Sequence, residues 1–150
     1  MSVGIHLLTV LALKPHEALT SDFLAQSVNT NPVVIRRLLG SLREAGLVGS
    51  RPGAGGGWVL RVDPSKISLL DILKAVEPNS ALFALHHSEP NPKCVCGHHI
   101  RDVLTEVYDK VQDRMAQQLD DVSIACIARK IRERAGLCEP APAVTGSELR

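Results

Sequence analysis

Apolar residues in this 150-residue chain recur at helical spacing in six stretches, interrupted once by two short apolar runs around a cluster of glycines. Ile5, Leu8, Leu11 and Ala12 form one face of a helix over Val3 to Leu13, which stops at Lys14-Pro15. Thr20 or Ser21 can cap a second helix with Leu24 and Val28 inward, and Asn29-Thr30 is the turn after it. Asn31 is a strong N-cap and Pro32 suits the first helical position, so a third helix starts there, runs to about Ala45 and ends at Gly46. Its apolar stripe is Ile35, Leu38, Leu39 and Leu42, at i, i+3, i+4 and i+7. Val33, Arg36, Arg37 and Gly40 occupy the opposite face.

Leu47-Val48 and Trp58 to Val62 read as two strands joined by the loop Arg51 to Gly57. Its consecutive glycines let a backbone bend sharply or pass close to a phosphate. The loop lacks the Gly-Lys-Ser/Thr ending of a P-loop, which argues against nucleotide binding.

In the second half, Ser68 can cap a helix from Leu69 to Val76, ending near Pro78, and the prolines between Ser80 and Lys93 predict an irregular connection. From Ile100, the residues Val103, Leu104, Val107, Val111, Met115 and Leu119 follow a helical stripe for about five turns. So long a helix on a small domain is a candidate dimerisation element, with Val103, Val107, Val111 and Met115 as its contacts. Ser123 caps a last helix with Ile124, Ile127, Ala128 and Ile131 inward. The Pro-, Gly- and Ser-rich tail beyond Gly136 is expected to be mobile.

The predicted fold class is mainly α with a small β-hairpin wing: a winged helix-turn-helix followed by a long dimerisation helix. Residues 1–66 form the DNA-binding part, 67–134 a helical dimerisation and sensing region, and 135–150 a flexible tail. In a winged helix-turn-helix the second helix of the pair enters the major groove, and the ribbon lies along the backbone. The candidate DNA-binding residues are therefore Thr30, Asn31, Val33, Arg36 and Arg37 on the helix and Arg51, Gly53, Gly55 and Gly56 on the wing.

Charge supports that division. The net charge is only +1, but residues 1–66 hold seven Lys/Arg against four Asp/Glu, and residues 67–150 ten against twelve. The basic half is the half with the helix-turn-helix, and a dimer would present two such halves to one duplex. Aromatic residues make up 3% of the chain, too few for a platform that stacks single-stranded bases, so double-stranded DNA is the expected partner. The sequence has no run of eighteen apolar residues and no signal-peptide pattern, and its four cysteines are too few and uneven for a secreted disulfide framework. A cytoplasmic protein with reduced thiols and no membrane partner is expected.

Cys94, Cys96, His98 and His99 put two soft and two borderline ligands within six residues, with His86 and His87 nearby. Such groups suit zinc, ferrous iron or a cluster, although structural zinc usually takes Cys-x-x-Cys rather than Cys-x-Cys. Alternatively, the two cysteines pack as small apolar groups at a helix start. A third reading is redox chemistry, because a helix N-terminus and Lys93 favour the thiolate. Cys126 and Cys138 are candidate resolving thiols.

The segments NTNPVVIRRLLGSLREAGLV, SRPGAGGGWVL and SLLDILKAVE, in that order and spacing, resemble the winged-helix transcription regulators typified by IscR, NsrR and CymR. With the long helix, the resemblance covers roughly residues 1–134. It implies a homodimeric repressor or activator, and in several members an iron-sulfur cluster held by three cysteines just before or within the long helix. Here Cys94 and Cys96 lie in that region, and no third cysteine follows before Cys126. The chain looks closest to the YwnA-like branch, whose NPNPKCPVGKKI-like segment matches PNPKCVCGHHI at Cys94 and leaves Cys96 as an addition.

A homodimeric DNA-binding regulator, acting as a repressor with a cysteine-based redox or metal-responsive segment, is thus the leading expectation. The alternatives are an iron-sulfur or zinc-binding member of the same fold, or a winged helix used only for protein contacts. An enzyme built on the Cys/His cluster lacks a Gly-framed nucleophile turn, a HExxH helix and a carboxylate beside the histidines.

Overall fold

Caps set most of the helix boundaries. In the computed structural model, which describes residues 1–78 and 83–137, α1 (Ser2–Leu13) is followed by α2 (Ser21–Val28), which opens where the Thr20 hydroxyl accepts a hydrogen bond from the Phe23 amide at 3.2 Å. Asn31 Oδ1 accepts from the Val33 amide at 2.8 Å, with Pro32 at the first position of α3 (Pro32–Glu44). Strands β1 (Val48–Arg51) and β2 (Gly57–Leu60) form the antiparallel hairpin, and a 3-10 turn (Pro64–Lys66) leads to α4 (Leu69–Val76). Ser68 and Asp71 make a full capping box there: Ser68 Oγ accepts from the Asp71 amide at 3.1 Å, and Asp71 Oδ2 accepts from the Ser68 amide at 2.9 Å. The chain continues through α5 (Val95–Asp120) to α6 (Ile124–Arg134), which Ser123 caps. The start of the expected irregular connection, Ser80 included, and the expected tail from Cys138 onward lie outside the described residues.

Leu7, Leu8 and Leu11 of α1 lie at the centre of the core, surrounded by Leu24 of α2, Ile35, Leu39 and Leu42 of α3, and Val48 of β1. Ile67, Ile72, Ile124 and Ala128 belong to the same buried cluster, so the core continues past residue 66 and α4 and α6 help to close it. Two backbone bonds bring α6 back: the Ile124 amide donates to Ile67 O and the Leu69 amide to Val122 O, both at 2.9 Å. Fully burying a leucine or isoleucine is worth about 1.5–3 kcal/mol, so this cluster dominates the stability of the fold.

Three details differ from the sequence reading. Strand β1 runs to Arg51, which pairs with Gly57, so the wing tip is Pro52 to Gly56, and β2 ends at Leu60 rather than Val62. Backbone pairing needs no apolar side chains, and so the strand outlasts the Leu47-Val48 pair that signalled it. Helix α5 begins at Val95, the start that the readings of Cys94 and Cys96 assumed, rather than at Ile100, where the apolar stripe begins; its first turn packs against no apolar surface, and Val95 itself is 81% exposed. Ile131 lies beside Ile127 on the face of α6 turned toward α1, but it is 44% exposed, since the groove between α6 and α1 stays open at that turn.

No residue of the 26-residue α5 is buried. Its apolar stripe is divided between two faces. Met115 and Ala116 are half-buried and line a cleft with Leu70 and Leu73 of α4, and the Tyr108 ring stacks on Phe83 of the connection at 4.7 Å. Val103, Val107 and Val111 face outward, 53%, 48% and 44% exposed.

Candidate nucleic-acid interface

The pair α2 and α3 is joined by a turn that only a few residue types support. Asn29 takes a left-handed conformation (φ 57°), and its amide donates to the carbonyls of Ala25 and Gln26. Asparagine tolerates that region because its short polar side chain bonds locally. The Thr30 amide donates to Ala25 O at 3.0 Å, Asn31 follows as the cap, and α3 leaves at once. Asn31 is therefore first a structural residue whose Oδ1 is already engaged.

The first two turns of α3 present their outer face without cover. Val33 is 62% exposed, Val34, Arg36 and Arg37 are also exposed, and Ile35 and Leu39 hold the inner face in the core. Neither Arg36 nor Arg37 makes a hydrogen bond or ion pair with any described residue. That arrangement suits a duplex: guanidinium groups grip phosphates or guanine, an exposed valine fits a thymine methyl, and a helix N-terminus favours a phosphate.

The wing is fixed at its root and open at its tip. Leu19 and Trp58 exchange backbone bonds of 3.0 and 2.8 Å, and the Trp58 indole Nε1 donates to Ser21 Oγ at 3.2 Å. Gly57 is needed there, because a side chain would meet the Leu19 backbone at 2.7 Å. These contacts tie the hairpin to the start of α2. Sequence reasoning missed this role of Trp58, which depends on a partner 37 residues away.

At the tip, the glycines have separate reasons to be glycine. Gly53 and Gly55 have φ of 92° and 76° with open space around them, while Gly56 has no room for a Cβ against the carbonyls of Arg51 and Gly53. Turn geometry thus accounts for all three, and Gly53 and Gly55 also leave free space in front of the backbone. Arg51 is exposed at the end of β1.

Cys94 is the N-cap of α5, in extended geometry, and both Cys94 and Cys96 are exposed. The backbone amides of Gly97 and Cys96 hold the Cys94 thiol below its ordinary pKa. The cause is the helix N-terminus that the sequence suggested, through these amides, with no contribution from Lys93. These are backbone N–H groups of the first turn of α5, which stabilise the thiolate by pointing their donors at the sulfur. The preceding loop is held by Asn91, whose carbonyl accepts from the Cys94 amide at 3.1 Å and whose side chain accepts from the Lys93 amide at 3.0 Å. Gly97 lies so close to the Asn91 carbonyl that no side chain fits there.

The structure does not gather a metal site from the expected ligands. Among the described residues no group of three or more His, Cys, Asp or Glu side chains is arranged to hold an ion. The His98 and His99 rings meet edge to face at 4.6 Å, and Cys126 is half-buried on α6, in a different element from Cys94 and Cys96. A three-cysteine cluster site does not fit the described residues of one chain.

Comparison with known proteins agrees with the winged-helix fold. Residues 1–130 match the model of the family described as "Rrf2: Iron-dependent Transcriptional regulator". YwnA of Bacillus subtilis (strain 168), provisionally described as an HTH-type transcriptional regulator, is 40% identical over 83% of this chain and 90% of its own. The HTH-type transcriptional regulator CymR of the same organism is 38% identical over 71% of this chain and 78% of its own. The solved structure of CymR, described as the global cysteine regulator of B. subtilis, superposes with a TM-score of 0.62 at 26% identity, covering 85% of this chain and 91% of that one.

Proposed function

This chain belongs to the Rrf2 family of transcription regulators, and from that premise we propose that it is a homodimeric repressor, working in the cytoplasm, that reads duplex DNA with α3 and the wing. The family's members are DNA-binding regulators and not enzymes. The observation that carries the residue-level reading is the pair Arg36 and Arg37, exposed and without a protein partner among the described residues, on the outer face of a helix whose inner face is locked in the core. In the complex, Thr30, Asn31, Val33, Arg36 and Arg37 face the major groove, while Arg51 and the backbone at Gly53, Gly55 and Gly56 follow the phosphates. No helix among the described residues is long and apolar enough to cross a membrane.

Dimerisation places two α3 helices on one face of the duplex, about 34 Å apart. The support is α5, a helix of about seven turns with no buried residue and an outward ladder of Val103, Val107 and Val111. Met115 continues the stripe at its edge, half-buried against α4. Selection of bound sequences from a random duplex pool tests this reading: an imperfect palindrome with half-sites one helical turn apart is expected. Recovery of a single unpaired half-site, or of no sequence preference, contradicts it.

The signal is thiol oxidation at Cys94. Its thiolate attacks a peroxide oxygen and the O–O bond breaks; water leaves after protonation and a sulfenic acid remains. Cys96 is the neighbouring thiol with which it can condense, releasing a second water. Because Cys94 caps α5, a bond formed there disturbs the connection that leads into the dimer helix and so weakens operator binding. The expected result is loss of binding after mild peroxide and recovery with a thiol reductant. Identical affinity before and after oxidant would remove this part of the reading.

A further inference from the structure

Strand alternation gives the hairpin two unlike sides. The pairs Gly49 with Val59 and Arg51 with Gly57 put residues 49, 51, 57 and 59 on one side, and residue 61 continues it just past the end of β2. Val48, Trp58 and Leu60 occupy the other side, against the core. Arg51 and Arg61 are both exposed on the side turned away from the core, yet Gly49, which lies between their levels, is buried. The Arg61 side chain covers it. A Cβ on Gly49 would stand 2.5 Å from Arg61 Nε, 3.1 Å from its Cγ and 3.2 Å from its Cδ, so the arginine stem lies flat across β1.

The backbone does not require glycine at position 49. Its φ is outside the left-handed region, and a flexible arginine stem can move aside from a methyl group, whereas glycine within a strand costs stability relative to alanine. What the glycine preserves is the seat of Arg61. The charge held in that seat is uncompensated. Of the carboxylates that share a cleft with Arg61, Glu17 is paired with Lys14 at 2.9 Å, and Asp63 accepts from the Ser65 amide at 2.8 Å. Among the described residues the Arg61 guanidinium has no ion pair.

We propose that Arg61 is a second cation with which the wing grips the duplex backbone, and that Gly49 is its positioning residue. The inference rests on the DNA-binding reading and adds to it a residue outside α3 and the wing tip. The Arg61 backbone lies at the root of the hairpin, where its amide donates to Leu47 O at 3.0 Å. By lying over Gly49, its side chain is carried toward the tip, to within two residues of Arg51, about 7 Å along the strand. That is on the scale of the separation between neighbouring phosphates of one strand, so the two guanidinium groups suit consecutive phosphates. An arginine whose stem is already held loses less rotamer freedom when it pairs, and its planar fork matches phosphate oxygens.

The test is fluorescence anisotropy of the full-length protein on its selected operator across a salt series. Arg61→Gln is expected to lower the salt slope by about one phosphate, so that the affinity advantage of the wild type shrinks about 3-fold between roughly 50 and 200 mM salt. Arg61→Lys, which keeps the charge, should keep the slope. Gly49→Ala should fold, flatten the slope in the wild-type background and change nothing further beside Arg61→Gln, a dependence that a merely structural glycine would not show. A wild-type slope in Arg61→Gln overturns the assignment, and the DNA-binding reading stands if Arg36→Ala/Arg37→Ala still weakens binding. Equal effects of Gly49→Ala with and without the arginine overturn the positioning role. Wild-type binding in all of these variants, Arg36→Ala/Arg37→Ala included, overturns both readings.

Discussion

Trp58 Nε1 donates a hydrogen bond to Ser21 Oγ at 3.2 Å, and through that bond the root of the wing is anchored to the first residue of α2. With the paired backbone bonds between Leu19 and Trp58, it sets the angle of the hairpin to the helix-turn-helix. Trp58→Phe keeps an aromatic ring and removes the donor. The expected cost in urea unfolding is about 0.5–1.5 kcal/mol, with a loss of DNA affinity larger at low salt than at high salt.

The wing glycines separate a folding role from a contact role. Gly56→Ala forces a Cβ against two carbonyls and should destabilise the fold measurably. Gly55→Asn is the sharper probe, because asparagine accepts the left-handed conformation and the surroundings are open. It should fold normally and bind the operator more weakly; unchanged binding makes the wing tip a structural turn only. Arg51→Ala is expected to reduce the salt slope of binding by about one phosphate interaction.

Cys94 should titrate early. The amides of Gly97 and Cys96 favour its thiolate, so its pKa lies lower in the folded protein than in the unfolded chain. The pH midpoint of its alkylation by iodoacetamide should accordingly be lower in native protein than in urea, with faster reaction at neutral pH. Equal midpoints in the two states would remove the electrostatic argument for a sensing thiol.

The double variant Val107→Asp with Val111→Asp places two carboxylates in the middle of the outward ladder of α5. Since neither valine is part of the core, the monomer should keep its fold. Sedimentation should show the dimer dissociating at concentrations where the wild type stays paired. A dimer of undiminished stability would exclude this face of α5 from the interface.

Much of the helix-turn-helix was legible in the sequence because its signals are local: Asn31-Pro32 at a helix start, Gly46 at its end and a four-residue apolar stripe between them. The apolar stripe did not mark the start of α5, since Val95 to His99 cover nothing and periodicity needs a buried face, although the readings of Cys94 and Cys96 assumed a helix start there. Trp58 as the wing anchor, the role of Gly97 beside Asn91 and the open α1–α6 groove were also invisible, because each depends on residues brought together only by folding. The cysteine cluster shows the opposite failure. Closeness in sequence suggested a ligand set, and among the described residues no three such side chains come together to hold an ion.

The central claim is that Arg36 and Arg37 on α3 hold the DNA. Fluorescence anisotropy with the selected operator, comparing wild type with the Arg36→Ala/Arg37→Ala double variant across a salt series, tests it most directly. Both side chains are exposed and outside the core, so the variant should fold and dimerise as the wild type does. Removing each arginine's specific interaction with the duplex costs roughly 1–3 kcal/mol, so the expected affinity of the double variant is at least about 30-fold lower, with a shallower salt slope. Operator affinity and salt slope equal to the wild type would contradict it.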